Sequence, residues 1–133
     1  MRKWNIPLTY APKIAGVLDG SIRQTIRVGR KFRVGDLVSF HGWEGRPYRS
    51  KWSFRTPYFE LLTVDDIGIF PDTGIVVFQP QGGRAVYSWG SMIADIIAEQ
   101  DGIEPPTGEA LCRVLSGMHK IPEGGVEAQI IRW

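Results

Sequence analysis

Gly20-Ser21-Ile22-Arg23-Gln24-Thr25-Ile26-Arg27-Val28-Gly29-Arg30-Lys31-Phe32-Arg33-Val34-Gly35-Asp36 is the stretch from which the fold is read. Gly20 supplies the stop of a short helix, because a residue without Cβ takes the left-handed cap conformation at no steric cost. Ile22 to Val28 then reads as a strand. A polar turn ending at Gly35 leads into a second strand, Leu37 to Trp43. Alternate residues of a strand share a face, so Arg23, Thr25 and Arg27 point one way. Ile22, Gln24, Ile26 and Val28 point the other way, largely into the core. Two guanidinium forks around a hydroxyl suit a phosphate or a carboxylate. A purely structural role for Arg27, an ion pair with Asp36 that pins the sheet, is the alternative.

Outward from this stretch the chain alternates between the two structural periods. Upstream, Ala11 to Asp19 predicts a short helix with Pro12 in its first turn, Thr9 as cap, and Ile14, Val17 and Leu18 on one face. Downstream, Gly42 to Thr56 has no clean period and reads as a long exposed loop or irregular hairpin. Pro57 to Phe70 resumes strand character. Ile75–Gln79 and Arg84–Trp89 flank Pro80-Gln81-Gly82-Gly83 as a hairpin. Ser91 caps a helix running to about Gln100, with Ile93, Ile96 and Ile97 inward. Asp101-Gly102 ends it. Thr107 caps another helix, with Leu111, Val114, Leu115 and Met118 on its apolar face. Pro122 to Gly125 is a turn, and Val126 to Trp133 a closing strand. The order of helix, strands, two helices and strand predicts an α+β fold: a small β-barrel or strongly curved sheet with helices packed at one end.

The 133 residues are expected to form one domain, residues 1–133, with an insertion at about 42–56 and an extra hairpin at about 75–89. The single cysteine, Cys112, excludes an internal disulfide and any CxxC metal site, and reads as a small buried hydrophobe. The start, Met1-Arg2-Lys3-Trp4-Asn5, lacks the apolar run of a secretion signal, and no segment is apolar enough to span a bilayer. The expectation is a soluble cytoplasmic protein with no cofactor, no metal and no membrane partner. His41 and His119 have no metal-ligand spacing and read as structural or exposed.

The net charge of +2 conceals an asymmetry. Residues 21–55 hold nine basic side chains and two acidic ones, whereas the rest of the chain holds seven basic and twelve acidic. Within this segment Arg46, Tyr48, Arg49, Lys51, Trp52 and Arg55 interleave rings with cations, as single-stranded nucleic acid requires: bases stack on rings while cations follow phosphates. Arg30 and Lys31 add a diffuse field in the turn. Asp101, at a helix C-terminus where the dipole disfavours an acid, hints at a non-local partner.

Ile14-x-x-Val17-Leu18-Asp19-Gly20, Gln24-Thr25-Ile26-Arg27 and Val34-Gly35-Asp36-Leu37-Val38-Ser39-Phe40 together resemble an ASCH domain of the PUA-like superfamily. Ala98-Glu99-Gln100-Asp101-Gly102 and the final Gln129-Ile130-Ile131-Arg132-Trp133 extend the resemblance over nearly the whole chain. It implies a PUA-like β-barrel with one N-terminal helix, two C-terminal helices at the barrel end, and a cleft between strands and helices. Relatives are associated with RNA or modified nucleosides. One branch removes the acetyl group of N4-acetylcytidine, using a lysine just after the helix-ending glycine, the threonine of the Thr-Ile-Arg strand, and a glutamate after the first C-terminal helix. Here Thr25 is in place and Asp101 stands where the glutamate would, but the lysine position is Ile22, with Arg23 beside it. A threonine hydroxyl needs a base, and arginine cannot be one.

The first expectation is therefore a module that binds RNA or single-stranded nucleic acid through Arg23, Thr25, Arg27, Arg30, Lys31, Arg46, Tyr48, Arg49, Lys51, Trp52 and Arg55. The second is an amidohydrolase acting on a modified nucleoside, with Thr25 and Asp101 catalytic and Arg23 stabilising an oxyanion. The third is an interaction module whose basic face meets an acidic partner.

Overall fold

The computed structural model describes residues 1–43 and 52–133, and 44–51 lie outside them. The fold is α+β. In chain order the elements are β1 (Lys3–Pro7), α1 (Ala11–Asp19), β2 (Gln24–Val28), β3 (Leu37–Trp43), β4 (Trp52–Arg55), β5 (Phe59–Glu60), β6 (Thr63–Phe70), β7 (Gly74–Phe78), β8 (Arg84–Ser88), α2 (Met92–Gln100), α3 (Gly108–Met118) and β9 (Val126–Arg132). The strands form two sheets. One runs β1-β3-β4 with β5 also on β3, and the other runs β2-β9-β6-β7-β8. Among the described residues the hydrogen-bond ladders do not close into a barrel.

β3 occupies the predicted span, and the β7–β8 hairpin forms around the Pro80–Gly83 turn. β1 was not expected. It pairs parallel with β3 from Lys3↔Leu37 to Pro7↔His41 and lies at the sheet edge, where a proline is tolerated. Its composition, Lys-Trp-Asn-Ile-Pro, carries little strand propensity, so the pairing is set by partner rather than by sequence.

Each sheet has its own core. Ile26, Ile67, Ile69, Ile75 and Ile130 of the larger sheet pack with Ile97, Ala98, Leu111 and Leu115 of α2 and α3. Ile6, Val38, Phe40 and Leu61 pack with Val17 of α1 and with Ile131 and Trp133. β9 joins the two, since Ile130 and Ile131 point into opposite cores.

Two helices present different faces from those expected. In α1 the buried residues are Lys13, Gly16 and Val17, while Leu18 is 53% exposed. Gly16 is required there, because a Cβ would lie 2.5 Å from Ile22 Cγ1. Tyr10, not Thr9, occupies the N-cap, with no side-chain cap bond. Gly20 is left-handed at φ 84°, as its place after the helix demands. In α2, Ala94, Ile97 and Ala98 face inward, while Ile93 and Ile96 are exposed. The small face lets α3 approach: a Cβ on Gly108 would lie 2.6 Å from Ala94 Cβ. Ser91 and Thr107 cap as expected, accepting from Ala94 N and Ala110 N. Met118, placed on the apolar face of α3, is largely exposed near its end.

Candidate active site: a buried Lys-Thr-Asp cluster

Three elements meet at one buried polar cluster. α1 contributes Lys13, β2 contributes Thr25, and the C-cap of α2 contributes Asp101. All three are buried, at 4%, 2% and 5% exposure. Lys13 Nζ donates to Thr25 Oγ1 at 2.8 Å and pairs with Asp101 Oδ2 at 3.0 Å. Asp101 thus has the non-local partner that its unfavourable position on the helix dipole called for.

A second layer orients Asp101. Gln24 Nε2 donates to Ile97 O at 3.1 Å and, at a long 3.4 Å, to Asp101 Oδ1. Its amide is fixed by Arg132, whose Nε donates to Gln24 Oε1 at 3.0 Å while Nη1 pairs with Asp65 Oδ2 at 2.8 Å. Gln24 therefore points to the core as expected, but as a buried polar linker.

The electrostatics follow from burial. Desolvation pulls the Lys13 ammonium below the ordinary lysine value of 10.5, against the attraction of Asp101. Desolvation pushes the Asp101 carboxyl above its ordinary 3.8, against the attraction of Lys13. The two affinities for a proton are drawn towards each other. Both shifts act in the direction that lessens the cost of passing a proton from Nζ to Oδ2.

The cluster opens into a cavity of about 40 Å³ whose lining includes Lys13, Thr25, Arg27, Asp101, Leu115 and His119. Thr9 and Met118, the exposed lining residues, mark its mouth, and Tyr10 and His119 beside them are half-buried. Tyr10 is held there by accepting from Glu104 N. Arg27 Nε is buried without a hydrogen-bond partner. Burial, more than the opposing attraction of Asp101, lowers its guanidinium to about 10, still charged at neutral pH. The proposed Arg27–Asp36 pair does not form. Asp36 instead accepts from Arg2 N, Trp4 Nε1 and Arg33 N, closing the turn before β3. His119 is depressed below 6.5 by burial and then by the Arg27 charge.

Of the residues singled out in the sequence, Thr25, Arg27 and Asp101 are brought together. Arg23 is not. It precedes β2, is exposed, and donates Nε–H to Gly20 O. Arg30 lies over Trp4 and donates to Asn5 O, Lys31 reaches Glu127 across 3.9 Å at the surface, and Arg55 lies over Tyr58. Arg46, Tyr48, Arg49 and Lys51 fall outside the described residues, as does the side chain of Trp52. His41 is buried on β3, and Cys112 is half-buried on α3. Among the described residues no group of His, Cys, Asp or Glu is placed to hold a metal ion, and no helix is long and apolar enough to cross a membrane.

Lys13 and His119 are the residues that sequence reasoning missed. The base sought at Ile22 comes from α1, twelve residues before Thr25. The available clue was that Lys13, Gly16, Val17 and Gly20 share one helical face through their three- and four-residue spacing. Comparison with family models, curated proteins and solved structures finds no match.

Proposed function

We propose that the chain is an amidohydrolase of the ASCH, PUA-like type acting on an N-acylated nucleoside such as N4-acetylcytidine. The observation that carries this reading is the 2.8 Å contact between Lys13 Nζ and Thr25 Oγ1, with Asp101 on the same nitrogen. It supplies the base whose absence from position 22 weighed against catalysis. A hydroxyl, an amine and an orienting carboxylate reproduce the logic of a nucleophile activated by an adjacent base.

In the first step Lys13 passes a proton to Asp101 and its neutral amine accepts the Thr25 hydroxyl proton. Thr25 Oγ1 attacks the acyl carbonyl. The developing oxyanion is stabilised by Arg27, which lines the same cavity and takes the role expected of Arg23. The Lys13 ammonium then protonates the departing nitrogen. Water, deprotonated by the regenerated amine, attacks the threonyl ester. The Lys13 ammonium so formed returns its proton to the departing Thr25 Oγ1, the acid leaves as carboxylate and a proton to solvent, and Asp101 hands its proton back to Lys13. The small cavity admits the acyl group, while the base lies across the mouth at Tyr10, Met118 and His119.

Incubation of the purified chain with N4-acetylcytidine is expected to release cytidine and acetate. Thr25→Ala and Lys13→Met are each expected to reduce kcat by at least about 100-fold, as loss of general-base catalysis does. An inert, folded chain, or turnover surviving Thr25→Ala, would overturn the assignment.

A second reading, binding of single-stranded RNA, is favoured by the edge strand β1. Arg2 and Arg30 lie 4.8 and 5.9 Å from the Trp4 ring, and Lys3 and Arg55 lie 5.4 and 5.9 Å from Tyr58. Tyr58 Oη also meets Asn5 Oδ1. Cations and rings thus flank one strand on both sides. Affinity for a short RNA should fall steeply between 50 and 200 mM salt, by roughly 10-fold or more if several phosphates are contacted. No binding at the lower salt would remove this reading.

A further inference from the structure

Arg27 presents an unusual situation: on a half-buried side chain, Nε is buried and has no hydrogen-bond partner among the described residues. No carboxylate forms an ion pair with it among the described residues. Among the described residues Asp101 is the only acidic side chain lining the cavity, and its Oδ2 is already taken by Lys13 at 3.0 Å. The Lys13–Asp101 pair contributes no net charge wherever its proton sits, as an ammonium–carboxylate pair or as amine and acid. One positive charge therefore remains uncompensated inside the pocket. The other titratable groups facing it are Tyr10, whose hydroxyl accepts from Glu104 N, and His119, neutral at pH 7; Arg30 adds further positive potential. An uncompensated buried charge is costly unless a counter-charge joins it.

The cavity limits the counter-charge. About 40 Å³ accommodates a few water-sized groups. That suits an ion of three or four heavy atoms, whereas a tetrahedral dianion would overfill the space and over-neutralise a single charge. A carboxylate also matches the donor, because a guanidinium offers its Nε–H and an Nη–H as a fork of the same spacing as two carboxylate oxygens. The Thr25 hydroxyl, on the same strand two residues away, is available to donate to an anion when Lys13 is its donor.

We propose that this cavity is a binding site for a compact monocarboxylate of the formate or acetate type, gripped by Arg27. The inference rests on the hydrolase reading for its meaning, since such an anion is the acyl product of that reaction. Binding itself requires no turnover. In a working enzyme the released carboxylate would compete with the next substrate's carbonyl for Arg27, so acetate would act as a competitive product inhibitor.

The test is titration of the ¹⁵N-labelled full chain with sodium acetate, sodium formate and neutral acetamide, read on the Arg27 Nε–H resonance. Formate and acetate are expected to give saturating shifts with half-saturation of about 1–10 mM, the range of a single charge-assisted contact. Acetamide is expected to give none. Arg27→Gln should abolish saturation, and Thr25→Ala should keep it within about threefold while losing hydrolysis. If Arg27→Gln fails to fold, the wild-type resonance with acetate against acetamide decides alone. Equal shifts with acetamide, or displacement of the acetate response by equimolar chloride, would overturn the carboxylate site. Acetate binding without turnover of N4-acetylcytidine would keep this site and sink the hydrolase. Turnover without acetate binding would do the reverse.

Discussion

Breaking the Lys13–Asp101 pair one side at a time should cost more than removing both sides together. The pair is 3.0 Å apart with its side chains 5% and 6% exposed. At an effective dielectric of about 20, that separation gives a gross attraction of roughly 5–6 kcal/mol, an upper bound on what the pair returns after desolvation. Lys13→Met leaves a buried carboxylate, and Asp101→Leu leaves a buried ammonium beside Arg27. Each is expected to cost about 3–5 kcal/mol, the usual consequence of stranding one member of a buried pair. The double variant strands neither, yet Thr25 Oγ1 and Gln24 Nε2 each lose a partner. It should cost only about 2–4 kcal/mol, at roughly 1 kcal/mol or more per lost bond. The coupling is therefore about 4–6 kcal/mol, read as urea midpoints multiplied by slopes for the four proteins.

The sign with pH follows from Asp101, whose carboxyl already holds its proton more tightly than an ordinary aspartic acid. Without Lys13 the folded state binds more protons than the unfolded state above the ordinary carboxyl pKa. The cost of Lys13→Met must then grow as pH rises, by up to about 1.4 kcal/mol per unit, until the folded carboxyl ionises. Single-variant costs that add to the double within about 0.5 kcal/mol, or a Lys13→Met cost that is flat from pH 5 to 8, would refute the coupled buried pair.

Other consequences are independent of the active site. Burial raises the Asp36 carboxyl, and hydrogen bonds from Arg2 N, Trp4 Nε1 and Arg33 N overcome it, leaving the group below its ordinary 3.8. Its contribution is therefore present in full above that pH and is lost as pH falls through the folded value; Asp36→Ala should cost roughly 3 kcal/mol at pH 7 and less in thermal unfolding at pH 3. Gln129 accepts from Phe32 N and donates to Phe32 O and Asp66 Oδ1, tying the basic turn to β9. Gln129→Leu should cost about 2–3 kcal/mol and speed amide exchange at Phe32. Gly108→Ala drives a Cβ into Trp89 O and Ala94 Cβ, and should lower stability by about 2–4 kcal/mol where Gly117→Ala, with open space around it, raises helix stability.

The fold was legible where a local rule was sufficient. In Leu37–Trp43 the apolar Val38 and Phe40 alternate with Ser39 and His41, and Ser91 and Thr107 sit where a hydroxyl reaches the third amide of a helix. It was illegible where packing chose between two acceptable stripes. α1 and α2 have nine residues each, too few turns for periodicity to separate a face of large side chains from an adjacent face of small ones. In α2 the small face won because Gly108 allows α3 to come against Ala94, and Ile93 and Ile96 were left outside. β1 owes its existence to β3, a partner more than thirty residues away, as Lys3↔Leu37 shows.

Lys13 shows why the site was harder to read than the fold. In isolation a lysine on a short helix is a solvated residue, since its charge repels it from any core. Only two distant groups reverse that preference: Thr25, which offers a hydroxyl, and Asp101, which offers a counter-charge from the end of another helix. Asp101 was the more informative of the three because its position was locally unfavourable. An acid at a helix C-terminus must be held by something beyond the helix. The resemblance places a lysine just after the glycine, at Ile22, whereas the cation that reaches Asp101 comes from within the helix that ends at Gly20. Gly16 makes this possible: by admitting Ile22 against its backbone, it turns the face bearing Lys13 towards β2 and allows burial of the ammonium.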